Sequence, residues 1–145
     1  MNRFLLDVNA LLALLDPMHI HHEAAHRWYE KRSPLRMMTC SHVLNGVIRV
    51  ASQPKYPNCL GTGARVRNVL RDLVRNVAAE SCEKEVSLLV DDILLQPNAL
   101  TPSRVSDFYL LALAAANDAR FATFDTRIPA EAVEGGPVAI EIILV

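Results

Sequence analysis

The sequence predicts an α/β fold in which a parallel sheet is covered by helices on both faces. Two observations predict it. Short apolar runs alternate along the chain with longer segments of helical periodicity, the order expected of parallel strands joined by helical crossovers. Two of those runs, Phe4–Leu6 and Phe121–Phe124, end on an aspartate, Asp7 and Asp125, and sites in such sheets gather at the carboxyl ends of strands. A chain of 145 residues is the size of a single domain, expected over 1–145, and can bury a core without disulfides or structural zinc.

Phe4–Leu6 reads as a buried strand, and Ala10–Leu15 as a helix stopped by Asp16-Pro17. His22–Lys31 is a second helix, with Ala25, Trp28 and Tyr29 as its apolar face. Met37–Thr39 is a candidate strand, and Ser41 can cap a helix that runs to about Ser52. Gln53–Gly63, with two prolines, two glycines and Asn58, is loop. Thr62 can cap a long helix over Ala64–Ala78, whose Val66, Val69, Leu70, Leu73, Val74 and Val77 recur at helical spacing. Ala79–Leu95 is read as a short strand followed by a helix. Thr101-Pro102 opens another helix, with proline in its favoured first position and an apolar body over Phe108–Ala116. Phe121–Phe124 and Val138–Leu144 complete the strands.

Bulk composition narrows the function classes. The hydrophobic fraction is 51%, but no stretch approaches the ~18 consecutive apolar residues of a membrane span. Asp7 and Asn9 interrupt the N-terminal apolar run where a signal peptide would be continuous, so a soluble, cytoplasmic protein with no membrane association is expected. Cys40, Cys59 and Cys82 are odd in number and widely spaced, which fits reduced thiols. The formal net charge of −1 provides no global field for nucleic acid, so an RNA-binding function would need a local basic patch.

The chemistry-bearing candidates are carboxylates. Hydrolysis of a phosphodiester with Mg²⁺ needs hard oxygen ligands, few of them from protein. Asp7 and Asp125 at strand ends can converge on one ion, and Asp107 lies in the early turns of the helix after Thr101, whose N-terminal half can project it toward the same edge. Each alone is as readily a cap, a turn residue or a solvated acid, and spacing does not decide between these roles.

The segment LLDVNALLALLDPMHIHHEAAHRWYE resembles the opening of VapC-type PIN domains, with a buried strand followed by D-x-N. RVSDFYLLALAAANDARFATFD resembles their other half, where an aspartate opens a helix of small apolar residues and a strand closes on Thr-x-Asp. TCSHVLNGVIRVASQPKYPN is similar to the region between, including Asn45-Gly46, Arg49 and the Pro-Lys-Tyr-Pro-Asn loop. The resemblance implies a three-layer α/β/α fold and endoribonuclease chemistry on RNA that depends on Mg²⁺ or Mn²⁺. It also implies a homodimer and a cognate VapB-type antitoxin. Carried over, the metal-binding and catalytic acids are Asp7, Asp107 and Asp125, with Asn9 and Thr123 as supporting polar residues. One departure stands out: Leu44 occupies a position where this branch normally has Glu. Leucine can neither bind metal nor accept a proton, which leaves an enzyme working with three acids, a weakened toxin, or an inactive module that binds antitoxin or RNA.

Three further features compete. His22-Glu23-Ala24-Ala25-His26 is a literal H-E-x-x-H, but the metzincin extension fails, with Tyr29 in place of glycine and Arg32 in place of the third histidine. A phosphatase of the haloacid dehalogenase type wants a second aspartate where Asn9 stands. Arg67, Arg71 and Arg75 form a basic stripe that can meet RNA phosphates or an acidic segment of antitoxin, or can simply be a solvated face, and Arg49 is a similar case. The Asp91-Asp92 pair carries no spacing that ties it to the cluster.

Overall fold

A computed structural model describes residues 2–145. Five strands, β1 (Arg3–Leu6), β2 (Arg36–Thr39), β3 (Glu80–Ser81), β4 (Arg120–Thr123) and β5 (Ile140–Ile142), form one sheet in the order β3-β2-β1-β4-β5. Every pairing is parallel, as the alternation of apolar runs and helices requires. The central strand β1 is buried along Phe4, Leu5 and Leu6, and β4 along Phe121 and Ala122, because helices cover both faces. The helices are α1 (Val8–Leu15), α2 (His22–Lys31), α3 (Ser41–Ala51), α4 (Gly63–Asn76), α5 (Val105–Ala116) and the short α6 (Gly136–Ala139). Helix α1 packs on both α2 and α3, and α3 packs on α4, while α5 packs on β1, β4 and α6, giving the three-layer α/β/α arrangement. None of these helices is long and apolar enough to cross a membrane.

The chain order reverses at β1, which has β2 on one side and β4 on the other. This is the switch point at which open parallel sheets leave a crevice beyond their carboxyl ends. The register pairs Leu6 with Ala122, so the next residues, Asp7 and Thr123, emerge side by side. The backbone N–H of Asp7 donates to the carbonyl of Ala122 at 3.0 Å, which fixes that neighbourhood.

Several boundaries differ from the sequence expectation, each for a local reason. Helix α1 begins at Val8 rather than Ala10, because Asp7 itself caps it, its Oδ1 accepting the N–H of Ala10 at 2.7 Å. Cys40, not Ser41, holds the cap position of α3, and Ser41 is the first helical residue. Thr62 caps α4 as expected, accepting from the N–H of Arg65 at 3.2 Å, although Val69 of the expected apolar face is 43% exposed. The helix expected after β3 does not form. Asn117 Oδ1 takes the N–H groups of Glu83 and Lys84, Glu85 takes that of Val86, and Ser87 takes that of Leu89. With its donors claimed by side chains, the segment runs as turns and reaches an isolated antiparallel bridge between Leu94 and Val133. Pro102 opens a single 3₁₀ turn (Pro102–Arg104) before the α-helix starts at Val105. The last strand is shorter than Val138–Leu144, because Pro137 sits in the first turn of α6 and Val138 follows it into helix, 72% exposed.

Asp16 does more than stop a helix. It is fully buried and accepts from the N–H of Met18 at 2.9 Å, from Asn58 Nδ2 at 2.6 Å and from the Tyr56 hydroxyl. Burial alone would raise its pKa, but these donors hold it below the usual aspartate range. The Pro-Lys-Tyr-Pro-Asn loop is therefore tied to the end of α1 by one carboxylate. Replacing Asp16 by Ala leaves those donors unpaired and is expected to cost about 3 kcal/mol or more in urea unfolding; a loss below about 1 kcal/mol would show that the loop is held by other contacts.

Candidate active site

The crevice beyond β1 and β4 receives side chains from four elements. Asp7 and Asn9 come from the start of α1, Thr123 and Asp125 from the end of β4, Asp107 from the first turn of α5, and His42 and Arg49, with the bare backbone of Gly46, from one face of α3. Two adjoining cavities share Asp7 and Asn9. One, of about 380 Å³, is open and lined also by Thr123, Phe124, Asp125, Thr126 and Arg127. The other, of about 140 Å³, adds Asp107, Ser106 and the α3 face.

Asp7 is held on both oxygens, by the N–H of Ala10 on Oδ1 and by the Thr123 hydroxyl on Oδ2. Thr123 Oγ1 also accepts the N–H of Asp125 at 3.1 Å, so one hydroxyl couples the ends of the two strands. Burial raises the Asp7 pKa to about 6 against the pull of these hydrogen bonds, with the charges of Asp107 and Asp125 adding to the rise. Asp107 is raised in the same direction, by burial first, while Arg104 opposes. Asp125 is held below its ordinary value by the N–H of Arg127 at 2.9 Å and then by Arg104. The three acids sense one another's charge and form one electrostatic cluster.

A guanidinium that the sequence analysis did not single out sits in this cluster. Arg104 NH1 donates to Asp107 Oδ2 at 3.1 Å and to Asp125 Oδ2 at 2.9 Å, with the Arg104 side chain only 18% exposed. Its three-residue spacing from Asp107 is a same-face helical pairing and was visible in the sequence. The second partner, Asp125, was not, since it arrives from β4. Among the described residues no three His, Cys, Asp or Glu side chains are set to hold one ion. The donor chemistry nevertheless suits a divalent cation: hard carboxylates line one crevice, and two of them already share a single positive group. Mg²⁺ commonly takes only one or two carboxylates and keeps its remaining ligands as water.

The structure also locates Leu44. It does not border the cavity of Asp7 and Asp107. It lines a neighbouring cavity with Cys40, His42 and Tyr109, and an apolar groove with Ile48, Leu70 and Val74 that Arg67 and Arg71 flank. The histidines of H-E-x-x-H are spent on packing: His22 Nδ1 donates to the carbonyl of Ala13 at 2.7 Å and His26 Nε2 to that of Leu14 at 3.4 Å, capping the end of α1.

Comparison with known proteins agrees with this architecture. The PIN domain family matches over residues 4–133. This chain belongs to the PIN-domain family. Its relatives place it in the VapC branch. It is 40% identical over 133 residues to ribonuclease VapC44 of Mycobacterium tuberculosis, covering 92% of this chain and 93% of that protein. It is 33% identical over 142 residues to ribonuclease VapC38 of the same organism, covering 97% and 98%, and 31% identical to ribonuclease VapC39 over 131 residues, covering 90% and 94%.

The raised pKa of Asp7 has a thermodynamic consequence. An acid whose pKa rises on folding binds its proton more tightly in the native state. Its contribution to stability is complete below the unfolded value of 3.8 and is lost as the pH climbs through about 6. In EDTA at about pH 7.5, Asp7→Asn is therefore expected to stabilise the protein by on the order of 2 kcal/mol in urea unfolding. The gain should vanish near pH 4. A variant less stable than wild type at neutral pH would show that hydrogen bonding at Asp7 outweighs the cost of burying its charge.

Proposed function

We propose that this chain is the ribonuclease toxin of a toxin–antitoxin pair, hydrolysing RNA phosphodiester bonds with Mg²⁺ or Mn²⁺ held by Asp7, Asp107 and Asp125. The observation that carries the proposal is the electrostatic coupling of these three acids at the switch point between β1 and β4, with Asp107 and Asp125 bridged by Arg104. The relatives named as ribonucleases support the same reaction. A divalent ion bound there would polarise the scissile phosphate and lower the pKa of the attacking water. The protein's own part is to hold and balance charge. Thr123 and the N–H of Ala10 fix the Asp7 carboxylate, and Asn9 presents an amide to both cavities. Arg127, 82% exposed, and Arg49 supply the local positive charge that the net charge of −1 does not.

Leu44 fits an active enzyme that uses three acids, since its side chain borders a different cavity from Asp7 and Asp107. The protein is further proposed to act in the cytoplasm as a homodimer and to be restrained by a VapB-type antitoxin. The arginine-flanked apolar groove between α3 and α4 offers that antitoxin a surface.

The test is cleavage of total cellular RNA by purified, antitoxin-free protein with Mg²⁺, with Mn²⁺ and with EDTA. Wild type should cut only with metal. Asp7→Asn and Asp107→Asn should lose at least about 100-fold in rate, more than is typical for an outer-shell change, and Leu44→Glu should change little. A silent wild type that Leu44→Glu awakens would make the chain a disarmed PIN module whose work is binding.

Arg104 gives a second, independent check. Its guanidinium neutralises Asp107 and Asp125, so a divalent cation must compete with it for the same carboxylates. Arg104→Gln is expected to tighten Mn²⁺ binding on the order of ten-fold in calorimetric titration, equivalent to about 1.4 kcal/mol, while lowering stability in EDTA. Unchanged or weaker Mn²⁺ binding would mean that Arg104 helps to build the metal site instead.

A further inference from the structure

A run of aromatic rings beside the acid cleft has no part in the carboxylate chemistry. Phe124, the residue after β4, lines the open cleft together with Asp7, Asn9, Asp125 and Arg127. Its ring is half-buried and packs against His21, with centroids 5.0 Å apart and planes inclined at 42°. His21 is itself 5.8 Å from His19, whose Nδ1 accepts the N–H of His21 at 3.0 Å. The segment is fastened from behind, because His22 and His26, with ring centroids 4.3 Å apart and planes inclined at 57°, donate to carbonyls at the end of α1. The histidine-rich stretch that imitates a zinc signature therefore braces, through His21, the Phe124 ring that lines the cleft. Across Asp125, whose Oδ1 takes the N–H of Arg127, stands the exposed Arg127 guanidinium.

Single-stranded RNA is gripped by this combination: aromatic rings stack on unpaired bases while arginines follow the phosphates. The cleft, about 380 Å³, lies within the range of ligand-sized sites, roughly 300–1,000 Å³. Phe124 is next in sequence to Thr123, which holds Asp7, so a base stacked on it belongs to a nucleotide adjoining the bond to be broken. We propose that Phe124, backed by His21, is a stacking site for an unpaired nucleobase flanking the scissile phosphate. This rests on the ribonuclease reading and adds to it that the RNA is held single-stranded on the β4 side of the cleft.

The test uses Asp107→Asn as a non-cleaving background with Mg²⁺ present. A labelled single-stranded RNA of mixed sequence, about twelve nucleotides long, is titrated by fluorescence anisotropy. Adding Phe124→Leu, which keeps apolar bulk but removes the π face, should weaken binding about five-fold or more, and His21→Ala should weaken it in the same direction. Phe124→Trp should bind at least as tightly, its new indole fluorescence quenched as RNA is added. A duplex of the same sequence should bind all variants alike. Unchanged affinity of Phe124→Leu for the single strand would overturn the stacking site and leave the ribonuclease reading standing. Failure of the background protein to bind RNA at all, together with a wild type that does not cut, would overturn both.

Discussion

The pairing of β1 with β4 is the constraint on which the rest of the site depends. These strands are neighbours because the chain order reverses at β1, and their register is fixed by complete burial of Leu5, Leu6, Phe121 and Ala122. A slip of one residue would turn these side chains toward the wrong helical layer. The register brings Asp7 and Thr123 out side by side, and the Thr123 hydroxyl then joins Asp7 to the backbone of Asp125. Core packing thus sets the position of the acids, and their hydrogen bonds only refine it.

Gathering acids in one place has a cost that the fold meets unevenly. Asp7 bears it most, deep in the crevice and raised to about 6. Asp125 bears it least, since the Arg127 N–H and Arg104 favour its charged form. Arg104 stands between Asp107 and Asp125 and lets two carboxylates approach without a metal. A site arranged in this way remains folded when empty and keeps an electrostatic deficit centred on Asp7, where an added cation gains most.

The sequence made much of this architecture legible. Runs such as Phe4–Leu6 and Phe121–Phe124 declare buried strands because parallel strands are apolar on both faces, and Thr62 and Pro102 mark helix starts by chemistry that acts within one turn. What stayed hidden depends on distant partners. The turns after β3 replace an expected helix because Asn117, more than thirty residues onward, takes the N–H groups of Glu83 and Lys84. The aspartates could be named from their places after strands and by resemblance, but Arg104 joins them only once β4 delivers Asp125. Leu44 shows a different limit. Position 44 lies two residues, roughly 200° around the helix, from the positions 42 and 46 that face Asp7. A family pattern read along the chain does not say which cavity a helical side chain enters.

The histidine-rich segment shows how one motif can serve different ends according to what surrounds it. On an isolated helix, His22 and His26 at four-residue spacing would present two nitrogens to a metal. Here α1 ends beneath them with carbonyls that have no partner in their own helix, and the imidazoles donate to those carbonyls. That capping fixes the entry of α2 and, with it, the position of His21 against Phe124. An interaction that completes a helix terminus also sets the wall of the cleft, so the precision of the site on the β4 side is inherited from the packing of α1 on α2.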